Sequence, residues 1–583
     1  MATTTMSDFR VDPVSGLKIH RTANNLVKAN AFAAVVFLLI GGFFGLGVAL
    51  TRMPGVQLLK PEMFYLFLTG HGVVALMVWI IFFEIAVLYF CCSHLLGSRI
   101  ATPRWAWLGF WLMIIGALMT FVAIVQGNSS VMMTSYPPLE AAPHFYLGLI
   151  LFAVGALIGC FVFLGTLVIA KEEKTYGEGS LPLVVFGAVT ASICAIFTIA
   201  AGAIILIPTF LWRVGLISHI DPMMYRVIWW AFGHTSQQIN VVVHISIWYL
   251  IAGLVFGAKP MSEKVSRGAF LLYILFLNLG SVHHLLSDPG LSSTWKIFNT
   301  SYMIYLAVLA SLIHGLTVPG SIEVAQRKKG LDTGLFTWLR KAPWGNPVFS
   351  GMFLSLIGFG FIGGITGVVM SVEQINMIIH NTMYLPGHFH GTVVCGTTTA
   401  FMAVTYYLIP VVFQRKVALA GWAKWQPYIY SLGSFTFAIA IMGAGTMGLQ
   451  RRQADITYAG QSLAYQYPEL GKAMLSIGEL GGVVMAVGGV MFILIVLASV
   501  FAGERIPEGS APWPKVEDAD VVFAKKGGVN SADAGATVPG KKHIGIGGFE
   551  APGTFVLAMI LFATLVLYYF INFKYLSTIW TLS

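Results

Sequence analysis

Charged side chains are scarce in this chain, and their scarcity excludes an ordinary soluble protein. Only 10% of the 583 residues are charged, 57% are hydrophobic, and the mean hydropathy is +0.80. A soluble globular domain carries roughly 25% charged residues because its surface must be solvated. The composition therefore predicts a membrane protein that crosses the bilayer many times.

Cysteine is rare as well, and its arrangement excludes a disulfide framework or a CxxC metal site. The five cysteines fall in or beside apolar segments without paired spacing, which indicates packing in the core: Cys91, Cys92, Cys160, Cys194 and Cys395. The sequence Cys-x-x-Cys-His of a c-type heme attachment site is also missing. Residues 1 to 30 are polar and lack the apolar core of a cleavable signal peptide, so we expect the first helix to act as an uncleaved insertion signal.

Long apolar segments are what the chain has in abundance. Crossing a hydrocarbon layer of about 30 Å takes about 20 apolar residues in a helix. The chain is therefore predicted to be an all-α, polytopic membrane helix bundle with about thirteen transmembrane helices. We place them at residues 31–54, 64–90, 105–126, 143–170, 183–210, 225–257, 268–286, 298–318, 348–372, 387–413, 426–448, 477–501 and 553–575.

The loops predict the orientation, because Lys and Arg near membrane segments are retained in the cytoplasm. Loops after even-numbered helices are rich in both, whereas residues 127–142 and 373–386 contain neither. This distribution predicts a cytoplasmic N-terminus, and the membrane is expected to be the cytoplasmic membrane of a bacterium or archaeon. A basic cytoplasmic rim against anionic lipid accounts for the net charge of +10 without any nucleic acid.

A single membrane domain is expected over residues 1–583, since no separate soluble domain is evident. The one long polar stretch, residues 502–552, is rich in Gly, Ala, Lys and Asp. Its composition predicts a flexible cytoplasmic loop before the last helix.

Six histidines lie in or at the end of these apolar segments, where polar rings are costly unless something binds them. His388 and His390 are two residues apart on one helix, so their side chains point about 200° apart and must have different partners. His71 lies at a matching depth on helix 2. One imidazole from each helix can hold a planar cofactor as two axial ligands, as in a six-coordinate heme. The other imidazole of helix 10 would hold a second heme from one side.

The remaining three histidines predict a second metal site. His234 lies on helix 6, and His283 and His284 lie where helix 7 meets its outer loop, where the backbone can turn both rings toward one centre. Three imidazoles suit copper well, and zinc or iron less exclusively. The other histidines belong to no such set and are interpreted as structural or surface residues: His20, His94, His144, His219, His244, His314, His380 and His543.

This set of motifs resembles subunit I of the heme-copper oxidoreductase superfamily over helices 2 through 11. Three local segments are similar to those of the B-type oxygen reductases: His283-His284-Leu-Leu-Ser-Asp-Pro-Gly290, Thr294-Trp-Lys296, and Asn381-Thr382 before Pro386-Gly-His-Phe-His390. The resemblance implies two hemes and one copper ion, copper B. It implies His71 and His390 as ligands of the low-spin heme, His388 for the high-spin heme, His234, His283 and His284 for copper B, and Arg451 and Arg452 as partners of heme propionates.

One departure from the oxygen reductases bears on the substrate. Those enzymes carry a tyrosine four residues after the first copper ligand, cross-linked to it, where this chain has Gln238. The C-type branch takes its tyrosine from helix 7, where this chain has Leu277, with Tyr273 the nearest tyrosine upstream. Dioxygen cleavage takes four electrons at once, whereas coupling two nitric oxide molecules takes two electrons and two protons and needs no tyrosine. The chain therefore resembles the nitric oxide reductases that branch near the B-type oxidases.

Other interpretations stay open at this stage. A B-type oxygen reductase with a relocated redox-active side chain is the alternative enzyme, and a transporter or heme-binding sensor is the alternative from another class. In the cytochrome c and quinol types of nitric oxide reductase, a glutamate close after the first histidine supports a non-heme iron. This chain has Gln237 and Gln238 there, which favours copper over iron in the second metal site. Gln238 either hydrogen-bonds the bound substrate, an intermediate with an N–O bond or a water, or orients a copper ligand.

Protons and electrons must both reach a buried site. Tyr249, Ser311, His314 and Thr317 resemble the proton channel of B-type enzymes, although His314 is a departure, and Glu84 is an alternative carrier that could also reach the interface. The chain shows no copper A domain, so a partner subunit II with copper A is expected to pass electrons from a cytochrome c or small copper protein. Direct quinol oxidation is the competing possibility.

Overall fold

Long helices make up nearly all of the structure. The computed structural model describes residues 8–11, 18–176, 180–456, 466–506 and 550–579. In chain order the long helices of these residues are α1 Arg21–Arg52, α2 Pro61–His94, α3 Pro103–Val125, α4 Pro143–Glu172, α5 Leu183–Arg213, α6 Pro222–Phe256, α7 Glu263–Leu279, α8 Ser293–Lys328, α9 Pro347–Met370, α10 Tyr384–Phe413, α11 Ala420–Thr446, α12 Glu469–Ala502 and α13 Pro552–Thr578. Twelve of them are long and apolar enough to cross a bilayer, which confirms the predicted all-α membrane bundle.

The predicted seventh segment is the exception. Residues 268–286 were expected to form one helix, but α7 spans the 17 residues Glu263–Leu279 and is followed by a 3₁₀ turn at Ser281–His284. Gly280 separates the two pieces, so the continuous helix was wrong in its last turn. The 3₁₀ turn after this break contains both His283 and His284.

Several helices extend beyond their apolar cores. The first begins at Arg21, ten residues before the apolar run at residue 31, and His20 caps it by accepting a hydrogen bond from the Ala23 amide. Helices continue past the hydrocarbon layer because a helix satisfies its own backbone hydrogen bonds in water as well as in lipid. Ahead of α1, the short strands Phe9–Val11 and Lys18–His20 pair in an antiparallel hairpin, which the apolar pattern did not predict.

Burial separates the helices that carry the predicted ligands from the rest. The most apolar window of α2 is 78% buried, that of α6 is 94% buried and that of α10 is 89% buried. In the other helices long enough to cross a bilayer, 56% or less of the most apolar window is buried, and in α13 only 6% is buried. His71, His234, His388 and His390 therefore lie on the most buried of these helices, while α13 lies at the edge of the bundle.

Close backbone contact fixes the start of α10. A Cβ atom on Gly445 of α11 would lie 1.9 Å from the Tyr384 amide nitrogen, so only glycine fits where these helices meet. Small residues allow such close packing of membrane helices. All five cysteines are buried and none is in a disulfide, which confirms their role in packing. The loop predicted at 502–552 lies largely at residues 507–549, outside the described residues.

Candidate metal centres

Three buried imidazoles form one cluster. His234 of α6 and the pair His283 and His284 each offer a ring nitrogen, and these atoms lie within 4.8 Å of one another. The ring centroids of His283 and His284 are 4.0 Å apart, and that of His234 is 4.6 Å from His283. The structure thus brings together the three residues that the sequence predicted as one site.

Adjacent side chains on a regular helix diverge by about 100°, so His283 and His284 need a local break to face one centre. The 3₁₀ turn at Ser281–His284 provides it. Asn299 of α8 holds this turn, because its Oδ1 accepts from the Val282 amide at 3.0 Å and its Nδ2 donates to the Leu279 carbonyl at 3.0 Å. Trp230 stacks on His284 with ring centroids 3.7 Å apart.

The hydrogen bonds indicate which nitrogen of each ring faces the cluster. His283 Nδ1 lies 2.5 Å from the Gly280 carbonyl oxygen, which leaves its Nε2 free to bind. His234 Nδ1 is 3.2 Å from His284 Nε2, so these two atoms are the facing ones. Among the described residues the donor set is three imidazole nitrogens without a carboxylate. Such a set fits copper, whereas a hard cation would call for oxygen ligands.

Gln238 contacts the other nitrogen of His234. Its amide nitrogen Nε2 is 3.3 Å from His234 Nε2, one helical turn away on the same face of α6. When Nδ1 binds a metal, Nε2 of His234 carries the hydrogen, so the Gln238 amide accepts that hydrogen with its oxygen once the amide oxygen and nitrogen exchange positions. Gln238 can therefore orient this imidazole, which was one of the two roles considered for it.

His71 and His390 lie opposite each other with nearly parallel rings. Their ring centroids are 6.1 Å apart and their planes differ by 16°. Two metal–nitrogen bonds of about 2.0 Å, with about 1.1 Å from each nitrogen to its ring centre, give a separation of about 6.2 Å for two axial imidazoles on one metal. His71 Nδ1 is 3.0 Å from the Gly41 carbonyl and His390 Nδ1 is 2.7 Å from the Pro386 carbonyl, so both Nε2 atoms remain for the metal. The pair fits a six-coordinate heme.

His388 points away from that pair. Its Nδ1 lies 3.0 Å from the hydroxyl of Thr366 on α9, and its ring is close enough to His234, His283 and His284 for an electrostatic interaction with each. Two histidines two residues apart on α10 thus face different neighbours, as their spacing predicted. The arrangement fits a single axial ligand for a heme next to the three-histidine cluster.

Arg451 and Arg452 lie half-buried in the segment between α11 and α12. Asn381 binds Arg451 through its Oδ1, which accepts from Nη2 at 2.8 Å and from Nε at 3.1 Å. Burial, and then the adjacent Arg452, lower the pKa of Arg451 to about 9. Among the described residues no carboxylate forms a salt bridge with either arginine. Such a guanidinium pair is stabilised by an added anion, which fits heme propionates.

The residues predicted to carry protons are only partly connected. The Tyr249 hydroxyl lies 3.0 Å from His314 Nδ1 and 3.0 Å from the Ser266 hydroxyl. Ser311 bonds Tyr273 instead, at 2.8 Å, while the Thr317 hydroxyl donates to the Ile313 carbonyl at 2.7 Å. His314 was interpreted as both a structural residue and a channel residue; its contact with Tyr249 supports the second.

Glu84 is buried rather than extended to the interface. Its side chain lines a cavity of about 100 Å³ between α2, α4, α5 and α6, together with Ser236 and Asn240. Glu84 Oε1 has no hydrogen-bond partner among the described residues. The alternative in which this side chain reaches the membrane surface is therefore wrong.

Three residues at the site escaped sequence analysis: Thr366, Asn299 and Trp230. Thr366 and Trp230 contact histidines that are distant in sequence, and Asn299 bonds the backbone of the distant turn that carries two of them, so no local spacing points to any of the three. The only available signal was their polarity or size within apolar helices, which many packing residues share.

A small residue on α1 leaves room for His71, and we expect that enlarging it displaces the imidazole. A Cβ on Gly45 would lie 2.7 Å from His71 Cε1 and Nδ1. Gly45→Ala is expected to cost about 1–3 kcal/mol through overpacking and to reduce the absorbance of the low-spin heme. Gly42→Ala is the matched control, because a Cβ there meets nothing within 4 Å. An unchanged low-spin spectrum in Gly45→Ala would contradict the assignment of His71.

Comparison with known proteins places this geometry among related sequences and structures. Residues 25–484 match the family described as Cytochrome C and Quinol oxidase polypeptide I. Cytochrome c oxidase subunit 1 of Thermus thermophilus is 30% identical over 82% of this chain and 85% of its own length. Cytochrome bo(3) ubiquinol oxidase subunit 1 of Buchnera aphidicola is 23% identical over 76% of this chain and 65% of its own length. A solved heme-copper terminal oxidase dimer contains a chain that aligns with a TM-score of 0.77 at 26% identity, covering 93% of this chain and 92% of that one.

Proposed function

Because the chain belongs to the cytochrome c and quinol oxidase polypeptide I family, we propose that it is the catalytic subunit of a membrane nitric oxide reductase. The reaction joins two nitric oxide molecules with two electrons and two protons into nitrous oxide and water. As a member of this family the chain binds two hemes and one copper ion. When bound, the two hemes and the copper ion would supply the electrons that reduce the substrate.

The observation that carries this proposal is the residue beside His234. Gln238 lies where the oxygen reductases carry the cross-linked tyrosine, and its amide is 3.3 Å from His234 Nε2. An amide holds the imidazole by a hydrogen bond but cannot supply the electron and proton that a phenol gives to dioxygen cleavage. Two-electron coupling of nitric oxide does not need that contribution.

The remaining ligand roles follow from the same geometry. In this proposal His71 and His390 hold the low-spin heme, and His388 holds the high-spin heme from one side. His234 Nδ1, His283 Nε2 and His284 Nε2 hold copper B. Arg451 and Arg452 bind the propionates and keep the hemes oriented.

Oxygen reduction is the second candidate, because the relatives above are named as oxidases. In that case a relocated side chain would replace the missing tyrosine. One experiment separates the two. The purified complex is assayed for hemes and copper, and nitric oxide and oxygen consumption are then compared with the same reductant. We expect nitrous oxide as the product; fast reduction of oxygen to water with negligible nitrous oxide would overturn the proposal.

Electrons are proposed to enter through a partner subunit on the outer side of the membrane. The described residues form a membrane bundle without a copper A ligand domain. A subunit II with copper A, reduced by a cytochrome c or a small copper protein, would supply them. Quinol oxidation remains the competing route, and the same assay distinguishes it when quinol and reduced cytochrome c are compared as donors.

Protons are proposed to arrive through Tyr249 and His314. The hydroxyl of Tyr249 bridges Ser266 and His314, and proton transfer along such a chain needs contacts of this length. His314→Phe removes the relay, and we expect proton uptake and turnover to fall by about 10²-fold. Glu84→Gln tests the alternative carrier in parallel. If only Glu84→Gln slows proton uptake, the route through Tyr249 is wrong.

A further inference from the structure

A buried phenol lies beside the proposed proton carriers. Tyr273 of α7 is fully buried, and its hydroxyl lies 2.8 Å from that of Ser311 on α8. Its ring is nearly parallel to that of His314, with centroids 5.9 Å apart and an angle of 17° between the planes. An imidazole inside a membrane bundle that contacts other polar groups marks a proton relay. Tyr273 therefore belongs to the same polar group as the residues proposed to carry protons.

The relay cannot continue along α6 beyond Tyr249. Residues four, seven and eleven positions apart lie on nearly the same face of a helix. Between Tyr249 and Gln238 that face of α6 carries Ile245 and Val242, which are fully buried and have no group that binds a proton. The hydroxyl of Ser246, beside that face, donates to the Val242 carbonyl at 2.8 Å. A side-chain relay that starts at Tyr249 must therefore pass to another helix before it reaches the three-histidine cluster.

His314 on α8 can take a proton from Tyr249 and pass one on. Its Nδ1 lies 3.0 Å from the Tyr249 hydroxyl, whereas its buried Nε2 has no hydrogen-bond partner among the described residues. A neutral imidazole can accept a proton at one nitrogen and release one from the other. Ser311 precedes His314 by three residues, so their side chains are neighbours on one face of α8. Asn299, near the start of α8, binds the turn of the cluster, so Ser311 is the nearer of the two to it.

Tyr273 brings the relay from α8 to α7. It precedes Gly280 by seven residues, so the two share one face of α7 and lie about 10 Å apart along its axis. A Cβ on Gly280 would lie 3.8 Å from His234 Nε2, so this face of α7 meets the three-histidine cluster. The Ser311 hydroxyl thus connects His314 with the face of α7 that leads to His234.

We propose that Ser311 and Tyr273 are proton-relay residues that follow His314 on the path to the three-histidine cluster. The proton moves from the Tyr249 hydroxyl to His314 Nδ1. A second proton leaves His314 Nε2 for the Ser311 hydroxyl, which passes one to Tyr273. At each step one N–H or O–H bond breaks as another forms, and no electron is transferred. The inference rests on the route through Tyr249 and His314 in the proposed function, and it holds for nitric oxide and for oxygen because both reductions consume protons.

The test is the rate of proton uptake by the reduced complex, followed with a pH indicator dye after mixing with nitric oxide. Tyr273→Phe keeps the ring beside His314 but removes the hydroxyl, so we expect uptake and turnover to fall by about 10²-fold. The heme spectra are expected to stay unchanged. The ratio of turnover in H2O to turnover in D2O is expected to rise, because proton transfer then limits the rate, and a purely structural defect would not raise it.

Ser311→Ala tests the same step from the other helix, and it serves even if Tyr273→Phe does not assemble. We expect a loss of proton uptake similar to that of Tyr273→Phe. Ser311→Thr keeps the hydroxyl and is expected to match the parent protein. An unchanged rate of proton uptake in Tyr273→Phe or in Ser311→Ala would overturn the proposal.

Tyr406→Phe is the matched control. Tyr406 of α10 is also fully buried, and its hydroxyl donates to Gln426 of α11 at 2.9 Å, so neither group lies on α7 or α8. Its variant is expected to keep the parent rate, and an equal loss there would contradict a specific role for Tyr273. His314→Phe separates the two levels of the proposal. Slow uptake in His314→Phe with the parent rate in Tyr273→Phe refutes the step through Tyr273 alone, whereas parent rates in both variants refute the whole route.

Discussion

His283→Ala is expected to remove copper from the complex and to lower nitric oxide turnover by about 10³-fold. The cluster offers three nitrogens within 4.8 Å of one another, and two imidazoles cannot complete the trigonal site. His283 is the sharpest choice of the three because its Nδ1 is occupied by the Gly280 carbonyl, so its only available ligand atom is Nε2. The measurement is copper per heme by elemental analysis, together with nitric oxide consumption at an electrode.

His144→Ala is the control for that experiment. His144 lies at the start of α4, and its side chain hydrogen-bonds that of Gln126 at 3.1 Å on an exposed surface. It is not one of the predicted metal ligands. We expect full copper content and full turnover. A His283→Ala complex that retains its copper would show that the three-histidine cluster is not the metal site.

Gln238→Leu is expected to lower nitric oxide turnover by about 10- to 100-fold, the range found when a partner of a metal ligand is removed. Leucine has nearly the same volume but cannot hydrogen-bond His234 Nε2, which the Gln238 amide approaches at 3.3 Å. The copper content decides between its two roles. Copper lost in step with activity indicates an orienting role, and full copper with low activity indicates contact with the substrate.

Gln237→Leu is the matched control on the neighbouring residue. Its amide contacts Asn240 and Ser236 instead of an imidazole. The same loss of a polar side chain is expected to leave copper content and turnover near the values of the parent protein. Unchanged turnover in Gln238→Leu would show that the Gln238 amide neither holds His234 for catalysis nor contacts the substrate.

The helical plan was largely predictable because bilayer thickness sets the length of an apolar helix. All thirteen predicted segments contain a helix, and the error at the end of α7 arose because the apolar run continues through Gly280 to Leu286 while the backbone does not. An apolar sequence predicts that residues are buried in lipid or protein, but it does not predict where a buried helix ends in a turn. Asn299, which holds that turn, comes from the following helix.

The candidate ligands were predictable for a different reason. An imidazole inside an apolar helix is costly, so His71, His234 and His388 were already distinctive without any structure. The second partners of His71, His283 and His388 were not, because Gly41 and Gly280 accept through backbone carbonyls and Thr366 makes its contact through a hydroxyl, and a sequence pattern marks none of these. The same limit applies to proton carriers: Ser311 was assigned beside Tyr249 but bonds Tyr273.

By itself the sequence determined that this is a membrane helix bundle with six histidines as candidate metal ligands. It also determined that a glutamine stands four residues after His234, where the oxygen reductases have a tyrosine. Only the tertiary structure decided that His71 lies opposite His390, which ring nitrogens converge on the three-histidine cluster, and that Thr366 of α9 lies beside His388. The physical reason is that helix period and apolarity act over a few residues and are visible in sequence. The distances between an imidazole and its partner depend on how helices far apart in the chain pack against one another.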